Sequence, residues 1–189
     1  MPIYLAVAFA VTLLGLLLAY FIFATYNAIV ALQLRIDKAR ANIDVALKQR
    51  YDELPRLVTA VRDLMRYERG VLEEVTRLRA AYTQEAPIGE QAALASATTS
   101  AVKNLLFTVE QYPQIRSQEN VLDLQNEMER LESIIADRRE LYNDMVALYN
   151  TRIGQVPALF LAPLFGWRVR PFFRADERER ERPDASLPD

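Results

Sequence analysis

Cysteine and histidine are both absent from the 189 residues. The first absence excludes disulfides, thiol nucleophiles and thiolate metal sites. The second removes the usual general base and the commonest metal ligand. Glycine is scarce, five in all, so phosphate-cradling loops have little to be built from. Lysine and arginine number 23 against 25 aspartate and glutamate, a net charge of −2. A chain so balanced is no general polyanion binder. Strand alternation is missing too: between Tyr26 and about Gln155 the apolar periodicity is helical.

What is present begins with an apolar run. Ile3 to Ala24 reads IYLAVAFAVTLLGLLLAYFIFA, without one charge. Twenty-two residues at helical rise span roughly 33 Å, about one hydrocarbon core. A cleaved signal peptide would want a basic leader, a shorter core and a small-residue cleavage site. None is found, so residues 1–25 are expected to be an uncleaved single-pass anchor in the cell membrane. Tyr4, Tyr20 and Tyr26 sit near its ends, where amphipathic rings favour the interface. Arg35, Lys38, Arg40, Lys48 and Arg50 follow the span, which places the N-terminus outside and the remainder in the cytoplasm. Gly15 and Ala19 form a small-xxx-small pair, for which a chance pair in an apolar run is the plainer reading.

The rest reads as helices. Ile29, Ile36 and Ile43 recur every seven residues with Leu32, Ala39 and Ala46 between them, which predicts a helix from about 26 to 53. Pro55 suggests a break over Asp52–Pro55. A second helix is expected to about 83, with Leu57, Val61, Leu64, Val71, Val75, Leu78 and Tyr82 as its stripe. Gln84 to Glu90 is expected as a loop from its Pro and Gly. A third helix covers about 90–112, with a soft Ala/Ser/Thr-rich start, and Pro113 ends it. A fourth runs over about 117–153 with Ser117 as N-cap, and Gly154 and Pro157 stop it. Short connections between such helices predict an all-α fold: the anchor, then an antiparallel up-and-down four-helix bundle over 26–155. If Pro55 and Pro113 only kink, the alternative is one long helical hairpin folded near Gly89.

After the bundle, residues 156–174 form an apolar, aromatic and basic tail, in which Phe160, Phe165, Trp167, Phe172 and Phe173 are interleaved with Arg168, Arg170 and Arg174. It is too short and too proline-rich to span a bilayer. Either it packs on the bundle or it lies in the inner interface. In the second case Tyr26, Arg35, Lys38 and Arg40 join those aromatics and Arg168 and Arg170 as a lipid-facing set. Residues 175–189, an alternating charge run, read as disordered.

No constellation carries chemistry. The carboxylate pairs Asp52/Glu53, Glu73/Glu74 and Glu127/Glu129 do not converge on one atom, because adjacent helical residues point about 100° apart. A bundle di-metal site wants Glu-x-x-His, and there is no His. Arg138 falls on the apolar stripe of the fourth helix and is expected at its rim. The expectation is no enzyme, no cofactor, no metal, no nucleic acid and no small-molecule substrate. One echo remains. YNAIVAL at Tyr26–Leu32 nearly repeats in YNDMVALYN at Tyr142–Asn150. Antiparallel topology predicts that Tyr26, Tyr142 and Tyr149 gather as a structural tyrosine cluster; duplication is the alternative for the echo.

Three segments carry a resemblance: YNAIVALQLRIDKARANIDVALKQRYDELPRLV, EQYPQIRSQENVLDLQNEMERLESIIADRRELYNDMVALYN and FGWRVRPFF. In this order and spacing the chain resembles the LemA family of prokaryotic membrane proteins over about Tyr26–Phe173. The resemblance implies a single-pass protein with a cytoplasmic helical bundle and implies no catalytic activity. Two positions depart. Tyr67-Glu68 stands where relatives commonly have His-Glu, and Leu131-Glu132-Ser133 where they often have Thr-Glu-Asn. The functional expectation is a membrane-anchored scaffold, coiled-coil in character, for self-association or another membrane protein. The alternative is a lipid-engaging or membrane-organising protein working through its tail.

Overall fold

In a computed structural model the described residues are 2–62, 69–112 and 118–174. They form five helices: α1, Pro2–Arg62; α2, Arg69–Ala81; α3, Ile88–Glu110; α4, Glu119–Ile153; and α5, Ala158–Phe165. No strand occurs among the described residues. The chain divides into two compact units, one of residues 1–38 with 144–170, the other of residues 39–143 with 171–189.

The expected break at Asp52–Pro55 does not occur: α1 runs through Pro55 to Arg62. An interior proline costs roughly 3 kcal/mol through a lost hydrogen bond and a clash with the preceding turn. Leu54, Leu57, Val58 and Val61 around it are all buried. Each such burial is favourable by about 1.5–3 kcal/mol, so tertiary packing outweighs the local penalty. The second helix starts instead at Arg69. The loop also moves: α2 ends at Ala81 and α3 begins at Ile88, so Gly89 lies in a first turn rather than in a connection. Leu64, Tyr67 and Glu68, Pro113 with Ser117, and the charged run 175–189 lie outside the described residues.

The unit containing 39–143 is an up-and-down four-helix bundle, and its contacts give the directions. Arg62 shares a groove with Arg69 and Leu72, and Pro55 one with Arg79, so α1 and α2 are antiparallel. Asn104 lies by Gly70 while Gln91 bonds Gln84 O at 2.6 Å, so α2 and α3 are antiparallel. Glu132 of α4 bonds Thr99 of α3, and Arg139 bonds Ser96, so these two are antiparallel as well. The core takes Ile43, Leu47 and Leu57 from α1, Val75 and Leu78 from α2, Val102 and Leu105 from α3, and Met128, Leu131 and Ile135 from α4. All but Leu47 and Val102 are periodic residues of the sequence, so this architecture follows from the 3.6-residue pattern.

The unit containing 1–38 and 144–170 holds the apolar span. α1 is a helix long and apolar enough to cross a membrane, and none of its most apolar window is buried by protein. Beyond the span, Ile29, Leu32 and Ile36 are buried together with Val146, Tyr149 and Ile153. Gln33 meets Tyr149, while Ala24 and Thr25 lie by Gln155 and Val156, so α1 and α4 run antiparallel here. After α5 the chain reverses at Gly166, whose φ of 68° suits glycine. Trp167 N then donates to Ala162 O and closes the helix.

Candidate functional site

The bundle unit contains a buried charge that the sequence reading placed elsewhere. Arg50 was counted among the cations flanking the membrane; it is wholly buried. Heptad spacing explains why, since 29, 36, 43 and 50 form one row and Arg50 follows the three isoleucines onto the core face. Its Nη1 donates to Glu132 Oε1 at 2.9 Å and to Thr99 Oγ1 at 3.0 Å. Thr99 in turn donates to Glu132 Oε2 at 2.7 Å. Nη2 donates to Tyr51 Oη at 3.3 Å, leaving the Tyr51 proton for Thr98 Oγ1 at 2.9 Å and the Thr98 proton for Leu94 O at 2.8 Å. The Ala/Ser/Thr-rich start of α3 is thus no soft end. Small residues there make room for a guanidinium, and the Thr99 hydroxyl and the Ala95 carbonyl receive it.

Arg138, the stripe arginine, is exposed as expected at a rim. Its neighbour Arg139 lies 5.3 Å over the ring of Phe173, and burial beside Arg50 pulls its guanidinium below the usual range. The carboxylates on the outer faces pair along their own helices: Asp52 with Lys48, Glu53 with Arg56, Glu74 with Arg77 and Glu127 with Arg130. Among the described residues no three acids converge as a metal set.

Asp44 differs from those acids. Its Oδ1 is buried without a partner in hydrogen-bond geometry, and burial raises its carboxyl above the ordinary value against the pull of Arg40 and of the neighbouring Gln91 amide. A raised folded pKa means the folded state holds its proton more tightly than the unfolded chain. Stability from this group is full below the ordinary aspartate value of about 4 and is lost as pH rises through the raised one. An Asp44→Asn variant is expected to lose that decline with rising pH. Denaturation midpoints across this pH window, with and without the change, check it.

The tail is held by asparagine. Asn150 Nδ2 donates to Arg170 O and Asn150 Oδ1 accepts from Arg170 N, both at 2.9 Å. In the other unit Asn143 makes the same two-way clamp on Phe173, at 3.4 and 2.8 Å. An asparagine amide presents a donor and an acceptor side by side, as an extended strand edge does.

The three tyrosines take separate places. Tyr149 is buried and its hydroxyl accepts from Gln33 Nε2 at 3.2 Å. Tyr142 is buried and donates to Pro171 O at 3.1 Å. Tyr26 is exposed and lies on Phe165 and Trp167, with ring centres 5.0 and 6.2 Å away. Tyr26 and Tyr149 belong to one unit and Tyr142 to the other, each with the partners just given.

The lipid-facing set also divides. Trp167 and Phe173 are buried in the protein, and Phe172 is half-buried beneath Arg174. Arg170 pairs with Asp37 at 3.1 Å, and Arg40 is half-buried. Arg35, Lys38 and Arg168 are exposed, as is Phe165. With the main chain clamped, the alternate rings at 167 and 173 turn inward. Val156, Leu159, Phe160 and Leu164, in and beside α5, present apolar surface outward, as do Phe165 and Val169. The sequence marks the uncharged run VPALFLAPLF as apolar and aromatic, but the first four of these residues are not in the lipid-facing set read from it.

Beside α5 lies a cavity of about 230 Å³, with Thr25, Arg152 and Gln155 as its polar lining. Arg152 is exposed, and among the described residues no carboxylate pairs with it.

The sequence model of the LemA family matches residues 39–186. Two similar curated relatives are Magnetosome protein MamQ 2 and Magnetosome protein MamQ 1 of Paramagnetospirillum magneticum (strain ATCC 700264 / AMB-1). Each is 33% identical over 75 residues, which is 40% of this chain. The match spans only 28% of each relative's own length.

Proposed function

The chain belongs to the LemA family, and on that premise we propose that it is a membrane-anchored, non-catalytic helical scaffold. It sits in the cell membrane with its N-terminus outside and its bundle in the cytoplasm, and it associates with further copies of itself or with another membrane protein. The observation that carries this reading is α1 itself. One helix supplies both the uncovered apolar span and a quarter of the bundle core, Ile43 to Val61. A bundle built on its own anchor stays at the bilayer, where its outer faces meet only neighbours at that surface. The orientation rests on Arg35, Lys38 and Arg40 after the span; Arg50 no longer counts toward it, being enclosed in the core. The magnetosome in the relatives' names remains a property of those relatives.

Full-length protein in lipid nanodiscs, crosslinked and mapped, tests the scaffold. Crosslinks between copies, or to one reproducible membrane partner, are expected. A strict monomer that captures nothing reproducibly overturns it.

A further inference from the structure

We propose that the cavity between the end of the apolar span and α5 holds the phosphodiester of an anionic membrane phospholipid, with Arg152 as its principal ligand. The inference rests on the membrane-anchored reading above and adds a ligand to it.

Position comes first. The wall that α1 supplies is Ala24, Thr25, Ala28 and Ile29, and the uncharged run ends at Ala24. With the run across the hydrocarbon core, the cavity lies at its edge, at headgroup depth. The rings agree with that depth. Tyr26, Phe165 and Trp167 form one aromatic group, with Phe165 and Trp167 stacked 5.2 Å apart. Such rings favour the membrane–water interface.

Chemistry comes second. The polar lining is one guanidinium, one hydroxyl and one amide, from Arg152, Thr25 and Gln155, and no acid lines the cavity. A guanidinium matches two phosphate oxygens with parallel N–H donors. Among the described residues Arg152 has no carboxylate to satisfy it. An amine-bearing headgroup would bring a second cation to a site with no carboxylate to receive it. An anionic headgroup such as that of phosphatidylglycerol brings no such conflict. The N-terminal end of α5, at Ala158, borders the cavity without a side-chain cap, and its dipole adds in the same direction.

The acyl chains complete the fit. Phe160 is 69% exposed and Leu164 78%, and the α1 span beside the cavity is bare. In water these surfaces are unfavourable by about 25 cal/mol for each Å². Against acyl chains they are not. Lipid contact therefore explains the head site and the uncovered apolar helix together.

A second role for Arg152 is to sit by the last carbonyls of α4, where a cation is favourable. Lipid discrimination separates the two roles. Full-length protein is placed in nanodiscs of phosphatidylcholine with a minority of phosphatidylglycerol, transferred to mild detergent, and the retained lipid is counted by native mass spectrometry. Preferential retention of phosphatidylglycerol is expected. Arg152→Gln is expected to lower it about tenfold, the equivalent of roughly 1.4 kcal/mol, while Arg152→Lys keeps part of it. Arg138→Gln, an exposed arginine of the same helix, leaves it unchanged, and circular dichroism confirms that each variant is folded. Equal retention by Arg152→Gln and the parent, or equal loss with Arg138→Gln, overturns the site. Saturation by inorganic phosphate with no lipid retained overturns its assignment to lipid. Release of the protein from membranes by alkaline carbonate would instead overturn the anchored reading, which distinguishes the two failures.

Discussion

Replacing Glu132 with leucine is expected to destabilise the protein by about 3–5 kcal/mol, because it strands a guanidinium in the core. Arg50 is fully buried and Glu132 is the only carboxylate within ion-pair distance among the described residues. Thr99 and Tyr51 would still bond it, but they carry no charge. The Glu132 side chain keeps 15% exposure, so water will relieve part of the penalty and the lower end of the range is expected. Removing both charges tests the cause. An Arg50→Met/Glu132→Leu double variant should recover most of the loss, since a buried pair replaced by apolar residues of similar volume is often neutral. Guanidinium unfolding of the full-length protein in detergent, followed by far-UV circular dichroism, measures both. A single variant within about 1 kcal/mol of the parent would mean that the network does not hold the charge as described.

The second large effect concerns the tail. Asn150→Ala removes both bonds to Arg170 and leaves a main-chain donor and acceptor unpaired. Each bond contributes about 1 kcal/mol net, and orphaned groups add desolvation cost, so the clamp should weaken by roughly 2–4 kcal/mol. Local release is then expected before global unfolding. Trypsin should cut after Arg168 and Arg170 many times faster, and Trp167, the single tryptophan, should shift its emission to the red. Asn143→Ala should expose Phe173 in the same manner. Asn150→Asp, which keeps the acceptor and loses the donor, should fall between. Unchanged cleavage in Asn150→Ala would refute the clamp.

The helices were legible because their cores follow one period, and that period survives into the buried residues of every bundle helix. Pro55 was misread because a local rule was applied where four buried neighbours decide. Arg50 was legible and overlooked: the isoleucine row points to it, but a cation close after a membrane span invites another explanation. The asparagine clamps were not legible. Their partners are peptide groups, which every residue carries, so no side chain in the tail announces them. The repeated Tyr-Asn pairs were visible from the start. The tyrosines draw attention as packing residues, while two of the asparagines beside them, Asn143 and Asn150, hold the chain. Similarly, α5 was hidden by its prolines, which suggested an irregular tail rather than a helix with Pro163 inside it.

The isoleucine row has one more consequence. Ile29, Ile36 and Ile43 are equivalent under a slip of seven residues; Arg50 is not. Slide α1 by one heptad and Glu132 would face Ile43 or Leu57, while the guanidinium would leave the one carboxylate it pairs with among the described residues. Apolar packing alone would tolerate that misalignment at little cost, whereas a displaced charge does not. The same test applies to a helix offered by another copy, which must bring its arginine to the same level. A pair that adds little to the depth of the native state thus removes its nearest competitors.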